Sequence, residues 1–304
     1  MLDRLAPTGF AKYWLLVRKS VQAWLDDYAP SMGAAIAYYT TFSLTPLLIV
    51  VIGVAGLIFG AEAARGEIVA QVRDLVGDEG AIAIQGLLAS ASRPSSSLIA
   101  SAIGFVTLLL GATSVFAELQ SALDRVWRAP ALQQSQGLWG LLRGRLLTFG
   151  LVVAIGFLLL VSLAISAALS AVGQWGNTLF PEWDTVLQVV NQVTSFAITT
   201  VLFAAAYRIL PRVRIAWSDV WVGALVTAAL FTAGKYVIGL YLGRAGISSA
   251  FGAAGSLVVL LVWVYYSAQV FLLGAEFTWV FAHSHGSRVG EMPPPAPPIP
   301  VAPH

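Results

Sequence analysis

The sequence predicts an all-α, polytopic membrane protein with six transmembrane helices. Of its 304 residues, 58% are hydrophobic and only 11% are charged, whereas ordinary soluble domains have about 25% charged residues. Several stretches of about 20 residues carry almost no charge, which is the length that crosses about 30 Å of hydrocarbon as a helix. The chain therefore has too few charged residues to cover a surface that faces water.

The first predicted element is an amphipathic helix in an N-terminal cytoplasmic segment, residues 1–30. Its apolar side chains recur at the spacing of one helical face, and Pro30 closes the helix. This face predicts an interfacial helix that lies flat on the membrane. The alternative is a helix that packs on the transmembrane bundle. The residues of the face are Trp14, Val17, Val21, Trp24, Leu25 and Tyr28.

Six apolar runs within residues 31–282 are predicted to form the membrane domain. Residues 61–97, approximately, carry apolar helical faces and are expected to form an outer helical hairpin. Residues 283–304 form the C-terminal tail, which contains seven of the chain's fourteen prolines. A segment so rich in proline is expected to be disordered. The predicted spans are 36–60, 98–119, 146–172, 186–207, 220–242 and 257–279.

Basic residues predict the orientation of these spans. Twelve of the 17 Lys and Arg residues lie in the N-terminal segment, the second and fourth connections and the tail, and four lie in the other connections. Short cytoplasmic loops carry the excess of Lys and Arg. Both termini are therefore expected in the cytoplasm.

Composition also argues against several kinds of site. The chain has no cysteine and only three histidines, all after the last predicted span. No catalytic triad, phosphate loop or nucleotide fingerprint appears. A net charge of +2 with scattered basic residues does not indicate nucleic-acid binding. We therefore expect no enzyme activity, catalytic residue, cofactor or metal site, and no nucleic-acid partner.

The fourth span carries one polar face. Its residues, spaced at i, i+3, i+4, i+7 and i+11, are Gln188, Asn191, Gln192, Ser195 and Thr199. Because lipid cannot satisfy polar groups, this face is expected to turn into the bundle, either bonding helices together or lining a wet cavity. Lys235 of the fifth span lies at a similar depth, so its ammonium is expected to approach this face, the alternative being the outer headgroups.

The sixth span carries a second polar face, formed by Tyr266, Gln269 and Glu276. Glu276 lies roughly 18 Å from Lys235 along the membrane normal, at 1.5 Å per residue, which is too far for an ion pair. Glu276 is expected instead to meet the arginines of the inner connections or the hydroxyl groups of the first span.

The first span combines hydroxyl groups with a proline. Pro46 removes a backbone N–H near mid-membrane and predicts a kink. Small residues at every fourth position predict a narrow ridge for close helix packing. The ridge comprises Gly33, Ala37, Thr41 and Thr45. The spacings Gly56 to Gly60 and Gly239 to Gly243 also match G-x-x-x-G, a weak signal in a chain with 28 glycines.

Five stretches resemble the YihY/BrkB family of bacterial inner-membrane proteins. They are GAAIAYYTTFSLTPLL (33–48), LDRVW (123–127), ILP (209–211), GALVTAALFTAGKYVIGLYL (223–242) and FGAAGSLVVLLVWVYYSAQVFLLGAEF (251–277). The resemblance implies a six-span, multi-pass protein of the bacterial inner membrane, linked to virulence and envelope functions. Some members carry the label ribonuclease BN, but metal-dependent phosphodiester hydrolysis needs converging ligands that this chain lacks. Asp124 departs from the family, which usually has asparagine there.

These observations favour a transporter, or a protein that translocates a lipid or another anionic amphiphile. The alternative is a non-transporting scaffold for an envelope assembly. Expected partners are membrane lipids, an anionic or amphiphilic small molecule, and envelope proteins or further copies of the chain. The candidate translocation path comprises Tyr39, Ser43, Pro46, Gln188, Asn191, Gln192, Ser195, Lys235, Tyr266, Gln269 and Glu276.

Overall fold

A computed structural model describes residues 9–43, 114–130, 183–244 and 255–291, with a few single positions between 60 and 86. All regular structure within these residues is helical, as the sequence predicts. Helix α2 begins at residue 29, directly after a turn at Asp27 and Tyr28, and α3 is described from residue 114 onward. The elements are α1 (Gly9–Asp26), α2 (29–43), α3 (114–126), α4 (Trp183–Ile209), α5 (Trp217–Arg244) and α6 (Gly255–Ser284).

Three of the described helices are long and apolar enough to cross a membrane. These segments, Thr185–Ile209, Trp217–Leu242 and Leu257–Ser284, confirm the last three predicted spans. The predicted spans 36–60, 98–119 and 146–172 lie wholly or mostly outside the described residues, as do most of the outer hairpin and the proline-rich tail. The count of six spans therefore stays a prediction.

Helix α6 is the central helix of the described bundle. It packs against α5 and α1, and α5 also packs against α4. The buried share of the apolar segment rises from 11% in α4 to 44% in α6. A helix that is apolar on all sides packs one stripe on its neighbours and offers the rest to lipid, so α4 is the most peripheral of the three. The core between them includes Ala204, Val220, Ala224, Leu272 and Ala275.

A hydrogen-bond network closes the contact between α4, α5 and α6. The hydroxyl of Tyr207 donates to the carbonyl of Phe271 at 2.7 Å and lies 3.0 Å from Oγ1 of Thr227. Thr227 Oγ1 in turn donates to the carbonyl of Gly223 at 2.7 Å. Tyr207 and Thr227 are both fully buried. This part of the bundle satisfies its polar groups internally.

Glycines allow α5 and α6 to approach each other closely. A Cβ atom added at Gly223 would overlap the side chain of Thr278, and one added at Gly234 would overlap the hydroxyl of Tyr266. By contrast, nothing lies within 4 Å of a Cβ added at Gly239 or Gly60. Gly60 and Gly239, one glycine of each G-x-x-x-G pair, therefore do not mark a close contact, and Gly56 lies outside the described residues.

Helix α1 packs on the bundle, as the second predicted alternative expects. Leu16 and Ser20 are buried, and the helix packs on α6. Much of the predicted apolar face remains exposed, including Trp14 at 64% and Leu25 at 56%. The helix thus rests on the bundle along one side and presents apolar side chains along the other. Its position at a membrane surface stays a prediction.

We predict that Gly223→Ala destabilises the protein by about 1–3 kcal/mol, the usual cost of overpacking a core. The added methyl group overlaps Thr278, which is fully buried. Thermal unfolding of the purified protein in detergent measures the effect. Gly239→Ala, on the same helix but in open space, is the matched control, and equal melting temperatures for the two variants would contradict the packing described above.

Candidate functional site

The ends of α1, α3, α4 and α6 and the start of α5 meet at one end of the bundle. Arg212, after α4, forms an ion pair with Asp124 of α3 (Nε to Oδ2, 3.3 Å). Ser287, after α6, donates its hydroxyl to Asp219 of α5 at 2.6 Å. We call this region the basic end, and it comprises Arg125, Arg128, Arg208, Arg212, Arg214 and Arg288. These are the helix ends that the predicted topology places on one side of the membrane.

A pair of buried acids lies at the basic end. Glu276 of α6 is 0% exposed, and Asp27, in the turn between α1 and α2, is 2% exposed. Their carboxyl groups are neighbours that act on each other electrostatically. Within the described part of the chain, neither Oε atom of Glu276 accepts a bond from an N–H or O–H group. Two neighbouring carboxylates repel each other in a buried site when both are ionised, so a proton on one of the two acids is favoured.

Two arginines at the end of α3 offset the charge of this acid pair. Arg128 acts electrostatically on both Asp27 and Glu276, and Arg125 acts on Asp27. Burial raises the pKa of Asp27, whereas the contact with Glu276 and the two guanidinium groups act in the opposite direction. The cluster therefore holds opposite charges in a region that excludes most water.

Aromatic rings and two unusual turns position the arginines. The guanidinium of Arg128 lies 4.5 Å from the ring centroid of Trp279, and that of Arg125 lies 5.7 Å from that of Tyr28. A planar guanidinium is stabilised over an aromatic face. Tyr28 and Arg128 both have positive φ angles, 58° and 50°, a conformation uncommon for residues other than glycine. Strained backbone of this kind concentrates at functional sites.

Several buried donors at the basic end lack a hydrogen-bond acceptor among the described residues. They are Nε1 of Trp24, Trp127 and Trp279 and Nε of Arg125. The three tryptophans stand near the ends of α1, α3 and α6, and Arg125 stands near the end of α3. Buried polar groups in native proteins are normally satisfied. Donors of this kind are able to bind a polar ligand or water.

The predicted polar face of α6 is turned into the bundle. Tyr266 lies against Gly234 of α5, and Gln269 lies against Gly33 of α2. The Gln269 amide also donates to the carbonyl of Pro30 at 3.4 Å. Glu276 lies about two helical turns further along the same face. Each of these three side chains thus contacts a different part of the surrounding structure.

The predicted ridge of α2 is confirmed over its described part. Gly33, Ala37 and Thr41 are all buried, with Gly33 against α6. Of the predicted path residues, Ser43 is 4% exposed and Tyr39 is 39% exposed. Thr45 and Pro46 lie outside the described residues, so the kink stays a prediction.

The predicted polar face of α4 is exposed over its first two turns. Gln188, Asn191 and Gln192 are all exposed, so they do not bond helices together as buried groups. Gln192 does reach α5, because its amide donates to the hydroxyl of Tyr236 at 3.0 Å. Further along α4, Ser195 is half-buried and its carbonyl accepts a bond from Thr199 Oγ1 at 2.8 Å.

Lys235 is half-buried beside this surface. Its Nζ lies 5.7 Å from the ring centroid of the adjacent Tyr236. Tyr236 is not among the site residues predicted from the sequence, yet its hydroxyl accepts the hydrogen bond from Gln192. An approach of the Lys235 ammonium to the α4 face stays a prediction.

The sequence patterns did not predict Asp27, Arg125 and Arg128 as members of a site. Each lies outside the apolar spans, where charged residues are expected to face water. One signal was available for Asp27: it stands in the helix-to-helix turn three residues before a proline. The predicted meeting of Glu276 with arginines of the inner connections agrees with the electrostatic contact of Arg128.

Asp124 connects α3 to the loop after α4. Its Oδ1 accepts the backbone N–H of Arg212 at 2.8 Å. Burial raises the pKa of Asp124, and the bond and charge of Arg212 act in the opposite direction. An asparagine oxygen could accept the same backbone bond without the charge.

Comparison with known proteins identifies relatives over most of the chain. A family model described as "Virulence factor BrkB" matches residues 20–298. A UPF0761 membrane protein of Stenotrophomonas maltophilia (strain R551-3) is 27% identical over 84% of this chain and 58% of its own length. A UPF0761 membrane protein of Pseudomonas paraeruginosa is 27% identical over 89% of this chain and 64% of its own length.

A further relative is the UPF0761 membrane protein YihY of Escherichia coli O1:K1 / APEC. It is 31% identical over 58% of this chain and 58% of its own length. The chain thus spans about six tenths of the length of these relatives. Their names describe membrane proteins and state no enzyme activity. No solved structure matches the chain.

We predict that the stability of the wild-type protein, relative to Asp27→Asn, falls as the pH rises above about 4. Burial raises the folded-state pKa of Asp27 above its usual 3.8, so the stabilising contribution of the carboxyl is complete below that value and is lost as the pH rises through the folded-state pKa. Thermal unfolding across a pH series measures this difference. Glu291→Gln, at an exposed acid after α6, should retain the wild-type pH dependence.

We predict that Asp124→Ala destabilises the protein by about 1–3 kcal/mol, because it leaves the Arg212 N–H without its acceptor. Asp124→Asn should cost less than about 1 kcal/mol, since the side chain of Arg212 is 46% exposed and an exposed ion pair contributes little. Unfolding in detergent compares the two variants. Equal losses would show that the charge, not the backbone bond, is the main contribution.

Proposed function

Because the chain belongs to the family described as Virulence factor BrkB, we propose that it is a non-enzymatic inner-membrane protein that translocates a lipid or another anionic amphiphile. Both termini would lie in the cytoplasm, with the basic end at the cytoplasmic side. This orientation follows the excess of Lys and Arg in the connections that meet there.

The observation that supports this function is the set of open donors at the basic end. Indole N–H groups of three tryptophans and Nε of Arg125 are buried without acceptors among the described residues. Donors without acceptors favour an anionic ligand, and a guanidinium binds phosphate and carboxylate groups especially well. The three tryptophans pack in or against one apolar core cluster. An anionic headgroup with an apolar tail fits this combination.

The proposed path continues along the polar face of α6. Glu276, Gln269 and Tyr266 share that face, with Gln269 against Gly33 of α2 and Tyr266 against Gly234 of α5. Ser43 and Tyr39 extend the α2 side, with Pro46 beyond them in sequence. The far end of the path would be formed by the exposed polar side chains of α4 together with Lys235. That group comprises Gln188, Asn191, Gln192 and Ser195.

A scaffold that supports an envelope assembly is the second candidate. The network of Tyr207, Thr227 and Phe271 favours it, because this part of the bundle is closed and internally bonded. The same network would also form a rigid side of the proposed translocation path. Buried donors without acceptors among the described residues favour a ligand site over a fully closed core.

We predict that Arg125→Gln slows the movement of a fluorescent anionic phospholipid by at least about tenfold. A charge-assisted hydrogen bond contributes about 1.5–3 kcal/mol, and about 1.4 kcal/mol corresponds to tenfold in rate. The full chain is reconstituted in vesicles, and a membrane-impermeant quencher reports probe that reaches the outer leaflet. A zwitterionic probe, which lacks the net charge, should move more slowly than the anionic one.

The control variant is Arg18→Gln, which removes an exposed arginine from α1 and should leave the rate unchanged. Equal rates for Arg125→Gln and the wild-type protein would overturn the role of Arg125. If the wild-type protein moves neither probe faster than protein-free vesicles, lipid translocation is rejected and the scaffold is favoured.

A further inference from the structure

We propose that Asp27 and Glu276 together form a proton-binding site, in which one proton is shared between the two carboxyl groups. A hydronium ion gives its proton to one carboxylate oxygen, and the resulting O–H donates to the other carboxylate. One O–H bond of hydronium breaks, one carboxyl O–H bond forms, and a water molecule is released. The ligand of the site is thus the hydrogen ion itself.

Burial and proximity of the two acids favour such a proton. Asp27 and Glu276 are 2% and 0% exposed, and their carboxyl groups act on each other electrostatically. Two adjacent carboxylates cannot both ionise in a buried site without strong repulsion. Within the described residues, no N–H or O–H group donates to either oxygen of Glu276. A shared proton supplies the donor that this contact otherwise lacks.

The charged groups around the pair are compatible with one proton. Arg128 faces both acids, Arg125 faces Asp27, and Asp26 adds a further negative charge from the end of α1. With one proton bound, the pair carries one negative charge opposite Arg128. With none bound it carries two, and with two bound it leaves the guanidinium without a carboxylate.

This site has a consequence for translocation that rests on the proposed function. A second proton on the pair neutralises both acids and so removes the negative charge that competes with an anionic headgroup for the guanidinium groups of the basic end. Loss of that proton restores the negative charge beside these arginines and weakens the anion site. Binding of a proton and binding of the anion are therefore expected to favour each other.

Infrared spectroscopy of the full chain tests the proton site without any measurement of translocation. The purified wild-type protein at neutral pH should show the C=O stretch of a protonated carboxyl group. Glu276→Gln should lose this band, whereas Glu291→Gln, which removes an exposed acid after α6, should retain it. Failure of lipid movement would leave this result unchanged, so the two proposals fail separately.

A second measurement covers the case in which Glu276→Gln does not fold. Carbon-13 labelling of the aspartate or glutamate carboxyl groups of the wild-type protein should shift the band. Absence of the band at neutral pH, or a band that neither label shifts, overturns the proposal. A band that persists in folded Glu276→Gln at wild-type intensity also overturns it, because the proton would then belong to another acid.

Discussion

Hydrocarbon offers no hydrogen bonds, and this constraint decides how the central helix α6 is placed. The helix is apolar almost throughout, yet it carries Tyr266, Gln269, Glu276 and Thr278. Each polar side chain has to find its partner within the protein. Thr278 donates to the carbonyl of Gly274 at 2.7 Å, and Gln269 reaches the start of α2.

Glu276 has the greatest need of a partner, because burying an isolated carboxylate is very costly. Its contact with Asp27 brings the turn between α1 and α2 onto α6, and the arginines at the end of α3 lie beside it.

The two halves of the described bundle handle their polar groups differently. Around Tyr207, hydroxyl groups and helix carbonyls form short bonds, and glycines let the helices come close enough to make them. Such a network makes a rigid unit with no remaining capacity for a ligand. At the basic end, opposite charges are enclosed with indole donors that have no acceptor among the described residues. A membrane protein that retains ionisable and unsatisfied groups at such a cost has a use for them. A rigid half of the bundle beside a half with buried charges and unsatisfied donors suits a protein that holds a ligand-binding site in place.

Patterns along single helices allowed part of this site to be predicted. The every-fourth-residue ridge of α2 is buried where it is described, because spacing alone decides which side chains share a helical face. The face of Tyr266, Gln269 and Glu276 turns inward for the same reason. The polar face of α4 obeys the same spacing, yet Gln188, Asn191 and Gln192 are exposed. Spacing tells which residues lie together but not which neighbour they meet. The G-x-x-x-G spacing at Gly239 likewise does not identify a helix contact, because nothing lies within 4 Å of a Cβ added there.

By itself, the sequence determined the helical class, the positions of the last three spans and the membership of each helical face. Those properties depend on hydrophobicity and on the helical repeat, which are local along the chain. Only the tertiary structure decided that Asp27, Arg125, Arg128 and Glu276 form one cluster. These residues lie on three separate elements, which are joined to one another through long intervening segments. Contact between them depends on how the helices pack, which no periodic pattern encodes. Burial of Asp27 and Glu276 beside the half-buried arginines is the physical basis of the proposed proton and anion sites.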